Sequence, residues 1–172
     1  MKRILVTVFI MLVLFSSTLI YAEDNAQTNS TNNQLVEVQI PGNTEVIVKT
    51  TKDLTSTESQ INQFIDLSVA KDIVINGHTV IKEGALAKGL MTSIKSSGAG
   101  VAGVITVAVM NVTAVDNQTI PVMGNYQAQG KNRTGAAFIP VGGLFVHGQE
   151  AVMSANTEIK VIILNGVTVK AL

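Results

Sequence analysis

Apolar and polar residues alternate along much of the chain after position 35, with the period of two that is typical of half-buried β-strands. The segment 65–70 is the clearest case, because Ile, Leu and Val alternate in it with Asp, Ser and Ala. Turn residues interrupt the pattern about every 8–12 residues, and no segment carries the apolar stripe of a surface helix. The pattern predicts an all-β domain, a single antiparallel β-barrel or sandwich, with helix in less than about a fifth of its residues.

Two Asn-Gly pairs separate apolar segments of the chain. Asn76-Gly77 lies between two short runs of Ile, Val and Thr, which predicts a two-residue hairpin with a positive φ at Gly77. Asn165-Gly166 separates two further β segments in the same way. Both pairs therefore indicate places where the chain turns between strands.

The longest β segment is predicted at 101–115. Even-numbered positions 104–112 form one face and odd-numbered positions 105–111 form the other, and both faces are largely apolar. Because strands that are apolar on both faces are typical of the middle of a sheet, we predict a central strand here. The pattern is looser over 124–148, and the small apolar residues of 130–148 are also compatible with a short helix.

Two turn segments resemble each other. Residues 41–46 read Pro-Gly-Asn-Thr-Glu-Val, and residues 154–159 read Ser-Ala-Asn-Thr-Glu-Ile. Each consists of a tight turn followed by the start of a strand. A duplicated β unit and the independent recurrence of turn chemistry both explain such a repeat, and no clean repeat period selects between them.

The first 22 residues differ from the rest of the chain. A Lys-Arg pair precedes the apolar run 4–15, in which Thr7 is the only polar residue. The small polar residues 16–18 interrupt the apolar stretch, and Leu-Ile-Tyr-Ala at 19–22 follows them. This order predicts a secretory signal peptide, residues 1–22, with cleavage after Ala22. An uncleaved membrane anchor is the alternative, because the whole apolar stretch is about long enough to span a bilayer. Both interpretations place the domain outside the cytoplasm.

The remaining chain divides into a polar tether and a folded domain. Residues 23–34 contain a single apolar residue and no periodicity, so we predict a disordered tether ahead of a β domain at 35–172. The 12 basic and 12 acidic residues of the full chain cancel, so nucleic acid is not an expected partner. The absence of Cys excludes disulfides and thiolate chemistry. A Cys-free exported domain suits a bacterial periplasm or cell surface.

Sequence motifs for catalysis, metals or cofactors are weak. Residues 98–103 match the spacing GxGxxG, but a β segment follows them where a dinucleotide site needs a helix. His78, His147 and Glu150 lack the spacing of a metal site. No GxSxG motif presents a nucleophilic Ser. We therefore predict no catalytic residues, no metal and no cofactor.

Two loop segments are candidates for interaction. Lys131 and Arg133 lie between glycines, where they form either an anion-binding loop or an ordinary solvated turn. Phe138 and Phe145 lie in the apolar segment 135–146, which is either core or an exposed flap that docks on a partner or a membrane. These four residues are the predicted interaction residues.

Several segments together are similar to a bacterial envelope pattern. They are Ile-Pro-Gly-Asn-Thr-Glu-Val at 40–46, the strand-and-turn segments 69–77 and 80–89, and Asp-Asn-Gln-Thr-Ile-Pro-Val at 116–122. The pattern covers about residues 35–123. It resembles the periplasmic β-barrel of the channel-core subunit of type IV secretion systems, and secreted bacterial proteins of similar pattern. The resemblance implies a β-barrel in the cell envelope.

Three functions are compatible with these observations. The first is a non-catalytic envelope β-domain for assembly, scaffolding or surface interaction, with an envelope protein, a second copy or a membrane surface as its partner. The second is a barrel that holds a small apolar ligand, and the third is a hydrolase with a site hidden from sequence. A filled barrel favours the first, a cavity above ~300 Å³ the second, and a cleft of titratable groups with shifted pKa values the third.

Overall fold

β-strands are the regular secondary structure of the computed structural model, which describes residues 35–132 and 148–172. These residues contain no helix, and so none that could cross a membrane. The strands are β1 (Val36–Ile40), β2 (Glu45–Thr50), β3 (Leu54–Thr55), β4 (Phe64–Val69), β5 (Ile73–Ile75), β6 (His78–Ile81), β7 (Leu86–Lys95), β8 (Val104–Thr113), β9 (Thr119–Gln129), β10 (Val152–Met153), β11 (Glu158–Ile163) and β12 (Val167–Ala171). The all-β prediction is confirmed.

Six of the strands close into an antiparallel barrel. Their order around the barrel is β11, β2, β4, β7, β8 and β9, and β9 pairs with β11 to complete the ring. Three two-stranded pieces accompany the barrel: the ribbon β1–β12, the hairpin β5–β6 and the short pair β3–β10. The fold is therefore the barrel form of the predicted class.

One continuous apolar cluster fills the barrel. Alternate residues of β2, β4 and β11 point inward, as the period of two predicted, and Val, Ile and Leu dominate these positions. The inward residues that are almost fully buried include Val46, Val48, Leu67, Val69, Met91, Ile105, Val107, Ile120, Ile159 and Ile163. Burial of this apolar surface is the main source of stability for the fold.

The predicted central strand pairs with a neighbour on each side, but its faces differ from the prediction. β8 lies between β7 and β9, with Ile105, Val107 and Val109 facing the core. Its pairing with both neighbours shifts register between Val109 and Asn111. Val112 consequently faces inward and is fully buried, although simple alternation grouped it with position 104 on the opposite face.

The following strand is longer than its sequence pattern indicates. β9 continues to Gln129, through a segment that the sequence analysis took as loose. Gly124 allows this close packing, because a Cβ there would lie only 2.7 Å from the carbonyl oxygen of Lys160. The helix considered for 130–148 falls mostly on residues outside the described ranges.

The two Asn-Gly pairs have different structures. Asn76 and Gly77 have φ values of 51° and 84° and join β5 to β6, which confirms the hairpin with a primed turn. Asn165-Gly166 forms a bend instead, because the strand after it, β12, pairs with β1 and leaves the barrel. The same dipeptide thus connects two paired strands at 76–77, and at 165–166 it connects β11 to β12, which do not pair with each other.

The two similar turn segments adopt one geometry. Asn43 and Asn156 have φ values of 65° and 64°. In each turn the Thr hydroxyl donates to the carbonyl three residues earlier, at 2.7 Å for Thr44 and 2.6 Å for Thr157. The turns lead into β2 and β11, which are neighbours in the barrel. The repeat in sequence is therefore a repeat of local turn chemistry.

Candidate functional site

The predicted interaction residues are only partly within the described ranges. Lys131 lies just after β9, with an exposed side chain and a carbonyl that accepts a 3.0 Å hydrogen bond from the Gln149 N–H. Arg133, Phe138 and Phe145 lie outside the described residues. The interaction roles predicted for these four residues therefore remain predictions.

The GxGxxG segment is the loop between β7 and β8. Gly98 and Val101 exchange backbone hydrogen bonds of 3.0 and 3.1 Å, and a strand follows where a dinucleotide site would need a helix. Gly103 packs closely, because a Cβ there would lie 2.6 Å from the Ser56 hydroxyl. The glycines of this loop thus serve the hairpin and its packing.

His78 and Glu150, two of the three residues considered as metal ligands, form hydrogen bonds with different partners. His78 Nδ1 lies 3.1 Å from the Leu172 oxygen, and Glu150 accepts a 2.8 Å hydrogen bond from the Thr57 hydroxyl. His147 is outside the described ranges. In residues 35–132 and 148–172, no group of three His, Asp or Glu side chains could hold a metal ion.

A groove of about 640 Å³ lies between β6, the ribbon β1–β12 and the turn from β8 to β9. Its volume is within the ~300–1,000 Å³ range of small-ligand sites. Two lysines, one carboxylate and apolar side chains share its walls. The lining residues are Leu35, Gly77, Thr79, Lys82, Val115, Asp116, Lys170 and Leu172.

Asp116 connects this turn to β12. Its carboxylate accepts hydrogen bonds from the Lys170 N–H at 2.9 Å, the Gln118 N–H at 3.1 Å and the Gln118 side-chain amide at 2.6 Å. Burial raises the pKa of Asp116, but these hydrogen bonds together outweigh burial and hold the pKa below its ordinary value. The carboxylate is therefore a structural clamp that favours its ionised form.

Side chains cover the outer edge of β12. The Gln118 amide donates to the Thr168 carbonyl at 3.1 Å, and Asp116 accepts from the Lys170 N–H. His78 contacts the Leu172 oxygen two residues further on. One main-chain group each of Thr168 and Lys170 in β12, and of Leu172 just after it, is thus paired with a side chain, which hinders pairing with another chain.

The opposite edge of the ribbon is open. β1 pairs with β12 in an unbroken register in which Glu37 is opposite Lys170 and Gln39 is opposite Thr168. Because residues 168 and 170 direct their main-chain groups away from β1, the main-chain groups of Glu37 and Gln39 point away from β12. Within the described ranges, no hydrogen-bond partner reaches the main-chain groups of Glu37 or Gln39. This unpaired side of β1 is called the open edge below.

Apolar side chains also face outward on the barrel. Met110, Met123, Ile162 and Leu164 have exposed fractions between 37% and 57%, and Ile162 is the cross-strand partner of Met123. Met110, Met123 and Leu164 border a shallow depression of about 560 Å³. We call these four residues the outer apolar wall. Unbranched Met side chains adapt readily to different surfaces.

Sequence reasoning did not identify the groove or the open edge. It included Asp116 only in the envelope-like segment 116–122, and it assigned no role to Glu37 or Gln39. The groove exists because segments far apart in the chain meet, as with Lys82 and Lys170. The Asp-Asn-Gln sequence was the one available signal, because Asp side chains commonly bond the backbone two residues on.

No family model matches the chain, and no curated protein shows significant similarity to it.

Proposed function

We propose that this protein is an exported, non-catalytic β-domain of a bacterial cell envelope, which acts in assembly or scaffolding by binding an envelope protein. The observation that carries the proposal is that the described domain buries apolar side chains inside and also presents apolar side chains and free backbone groups outside. Its interior is filled by its own side chains, whereas the open edge and the outer apolar wall face outward. The open edge and the outer apolar wall are therefore the surfaces through which we propose that the domain binds a partner protein.

The filled interior favours this function over a ligand-holding barrel. Residues from β2, β4, β8 and β11 meet in one cluster at the centre, and Val46, Val48, Ile105 and Ile163 are fully buried. Protein cores of this kind are close-packed and leave few voids larger than a water molecule. Binding in the lumen would require the core to open.

The titratable groups give little support to a hydrolase. Among the described residues, Asp116 is the group whose pKa is clearly shifted, and the shift lowers it. Its oxygens already accept hydrogen bonds from Lys170 and Gln118, which hold the fold together. A general base needs a carboxylate that can reach a substrate proton.

The proposed location rests on the sequence. Residues 1–22 have the order of a signal peptide, and the chain contains no Cys. The resemblance to the envelope barrel of secretion systems supports the same compartment. We therefore propose a periplasmic or surface location, with residues 23–34 as the tether.

Sedimentation of gently extracted envelopes tests the assembly role. The protein is released with a mild detergent and compared on a gradient with the purified protein. We expect a heavier species that contains a defined envelope protein. Sedimentation as an isolated domain under every extraction condition, with or without prior cross-linking, contradicts the proposal.

The groove supports a second candidate function, the binding of an amphipathic anion. Leu35 and Leu172 expose 60% and 68% of their surface beside it, and Lys82 and Lys170 supply positive charge. In the described ranges, neither lysine belongs to an ion pair within 4.0 Å, whereas Lys49, Lys88 and Lys160 do. A fatty-acid carboxylate matches this combination of alkyl surface and cations.

Titration calorimetry with laurate tests this second function. We expect saturable 1:1 binding that weakens about ten-fold in the Lys82→Gln/Lys170→Gln variant. The Lys52→Gln/Lys71→Gln variant is the matched control, because both of its lysines are exposed and lie outside the groove lining. Equal binding of dodecyl maltoside, or an equal loss in both variants, contradicts the function.

A further inference from the structure

We infer that the open edge of β1 receives an extended segment of a partner protein by β-strand addition. This inference rests on the proposed function and specifies how the partner is bound. Strand addition requires unpaired main-chain donors and acceptors along an accessible strand. Glu37 and Gln39 supply them, because their N–H and C=O groups point away from β12.

The two edges of the ribbon differ, and the difference carries the argument. On β12 and the residue after it, one outward main-chain group at each position contacts a side chain: the Thr168 C=O, the Lys170 N–H and the Leu172 oxygen. On β1 no such cover reaches Glu37 or Gln39 from the described residues. Proteins commonly cover or charge the edges of their sheets to prevent pairing. In the ribbon β1–β12, as far as residues 35–132 and 148–172 show, β12 carries such cover and β1 does not.

The structure behind the open edge is firm enough to act as a template. Val38 and Ile40 of β1 are buried in the core, at 4% and 0% exposure. Their partners across the ribbon are Val169 and Val167. A rigid strand loses little conformational entropy when a second strand pairs with it.

The side chains of β1 indicate the chemistry of the incoming strand. Glu37 and Gln39 face solvent on one side of the ribbon, and Val36, 42% exposed, lies on the other. An added strand is therefore expected to alternate, with a basic residue beside Glu37 and an apolar residue beside Val36. Pairing of β1 with β1 of a second copy is the competing occupant, and it provides no cation for Glu37.

Photocross-linking in cells tests the inference on the full chain. A photoreactive amino acid replaces Glu37 at the open edge or, as the matched control, Thr168 at the covered edge. Both positions lie on the solvent face of the same ribbon. We expect position 37, and not position 168, to cross-link to one extended segment of a different protein.

A proline variant shows whether main-chain pairing is responsible. Gln39→Pro removes an N–H that points away from β12, so the ribbon itself keeps its hydrogen bonds. We expect this variant to reduce cross-linking from position 37 about ten-fold, whereas Gln39→Ala, which keeps the N–H, leaves it within about two-fold. The melting midpoints of the two variants are compared to check folding. The reciprocal pair, Glu37→Pro and Glu37→Ala with the photoreactive group at 39, provides a second test.

Three results would overturn the inference. Cross-linking from position 37 that Gln39→Pro leaves unchanged would place the partner elsewhere than on the main chain. If the only cross-links formed were to a second copy of this chain, the open edge would bind β1 of that copy and not a different protein. Cross-linking no stronger at 37 than at 168 would show that the edge is unoccupied. In that last case a heavier species on the gradient still supports the assembly role, through another surface.

Discussion

At the scale of single residues, the sequence predicted the turns well. Gly77 has the positive φ expected from the Asn-Gly pair, and among the described residues every non-glycine with positive φ is an Asn. Asn tolerates this conformation better than other side chains because it is short and bonds locally. A local signal is sufficient for a turn, since the turn depends on only a few neighbouring residues.

Gly77→Val should destabilise the protein by about 1–3 kcal/mol, because a β-branched residue is strained at a φ of 84°. Gly98→Val is the matched control, since a Cβ at either glycine meets no atom within 4 Å and only Gly77 has a positive φ. Thermal unfolding of the two variants measures the difference. An equal melting midpoint for both would contradict the strain argument.

Asp116→Asn should lower stability at neutral pH by about 1–2 kcal/mol, because the amide cannot accept hydrogen bonds from both Lys170 and Gln118 as the carboxylate does. The folded-state pKa of Asp116 is lowered, so its contribution is present above the unfolded-state pKa of about 3.9. That contribution is lost as pH falls through the folded-state pKa.

Denaturant unfolding at several pH values measures whether the stability contribution of Asp116 decreases as the pH falls. The difference between wild type and Asp116→Asn should be largest at pH 6–7 and shrink as the pH falls from about 5 towards 2. Asp66→Asn serves as a control, because Asp66 belongs to an exposed ion pair with Lys88. A difference for Asp116→Asn that stays constant across this range would contradict the ionised clamp.

At the scale of elements, the period of two located most strands but not their partners. β4 and the hairpin β5–β6 lie where the pattern placed them. The sequence could not show that β12 pairs with β1, since that pairing joins opposite ends of the described chain. It also missed the register shift near Met110, because a bulge alters which residues face inward without changing composition.

The amides of β1 should exchange with solvent in an alternating pattern. Val38 and Ile40 bond to β12, whereas the N–H groups of Glu37 and Gln39 point outward. We expect the outward amides to exchange about 100-fold faster, as hydrogen exchange followed by NMR would measure. The Lys170 amide is the internal comparison, because Asp116 accepts its hydrogen bond on the covered edge. Equal protection of the four amides of residues 37–40 would show that the edge is already paired.

At the scale of the whole molecule, the sequence predicted the class of fold but not its functional surfaces. A barrel core requires only alternating apolar residues in enough strands, and that information is spread along the chain. The groove requires particular residues from β6, β12 and one turn to meet. The predicted interaction residue Lys131 belongs neither to the groove lining nor to the open edge. It was predicted from its position between two glycines, and such a local signal does not show which distant segments meet.

Strand addition by an envelope partner requires the folded domain to be outside the cytoplasm, so export of the chain is itself a testable prediction. If residues 1–22 are a signal peptide, the protein released by osmotic shock should begin near Glu23, as N-terminal mass spectrometry would show. Ala22→Arg should block processing, because signal peptidase needs a small residue before the cleavage site, and the precursor should then stay with the membrane. Ala26→Arg, within the tether, should be processed normally. An intact Met1 in the membrane fraction of the wild type would instead identify residues 1–22 as an anchor, with the barrel held at the membrane by residues 23–34.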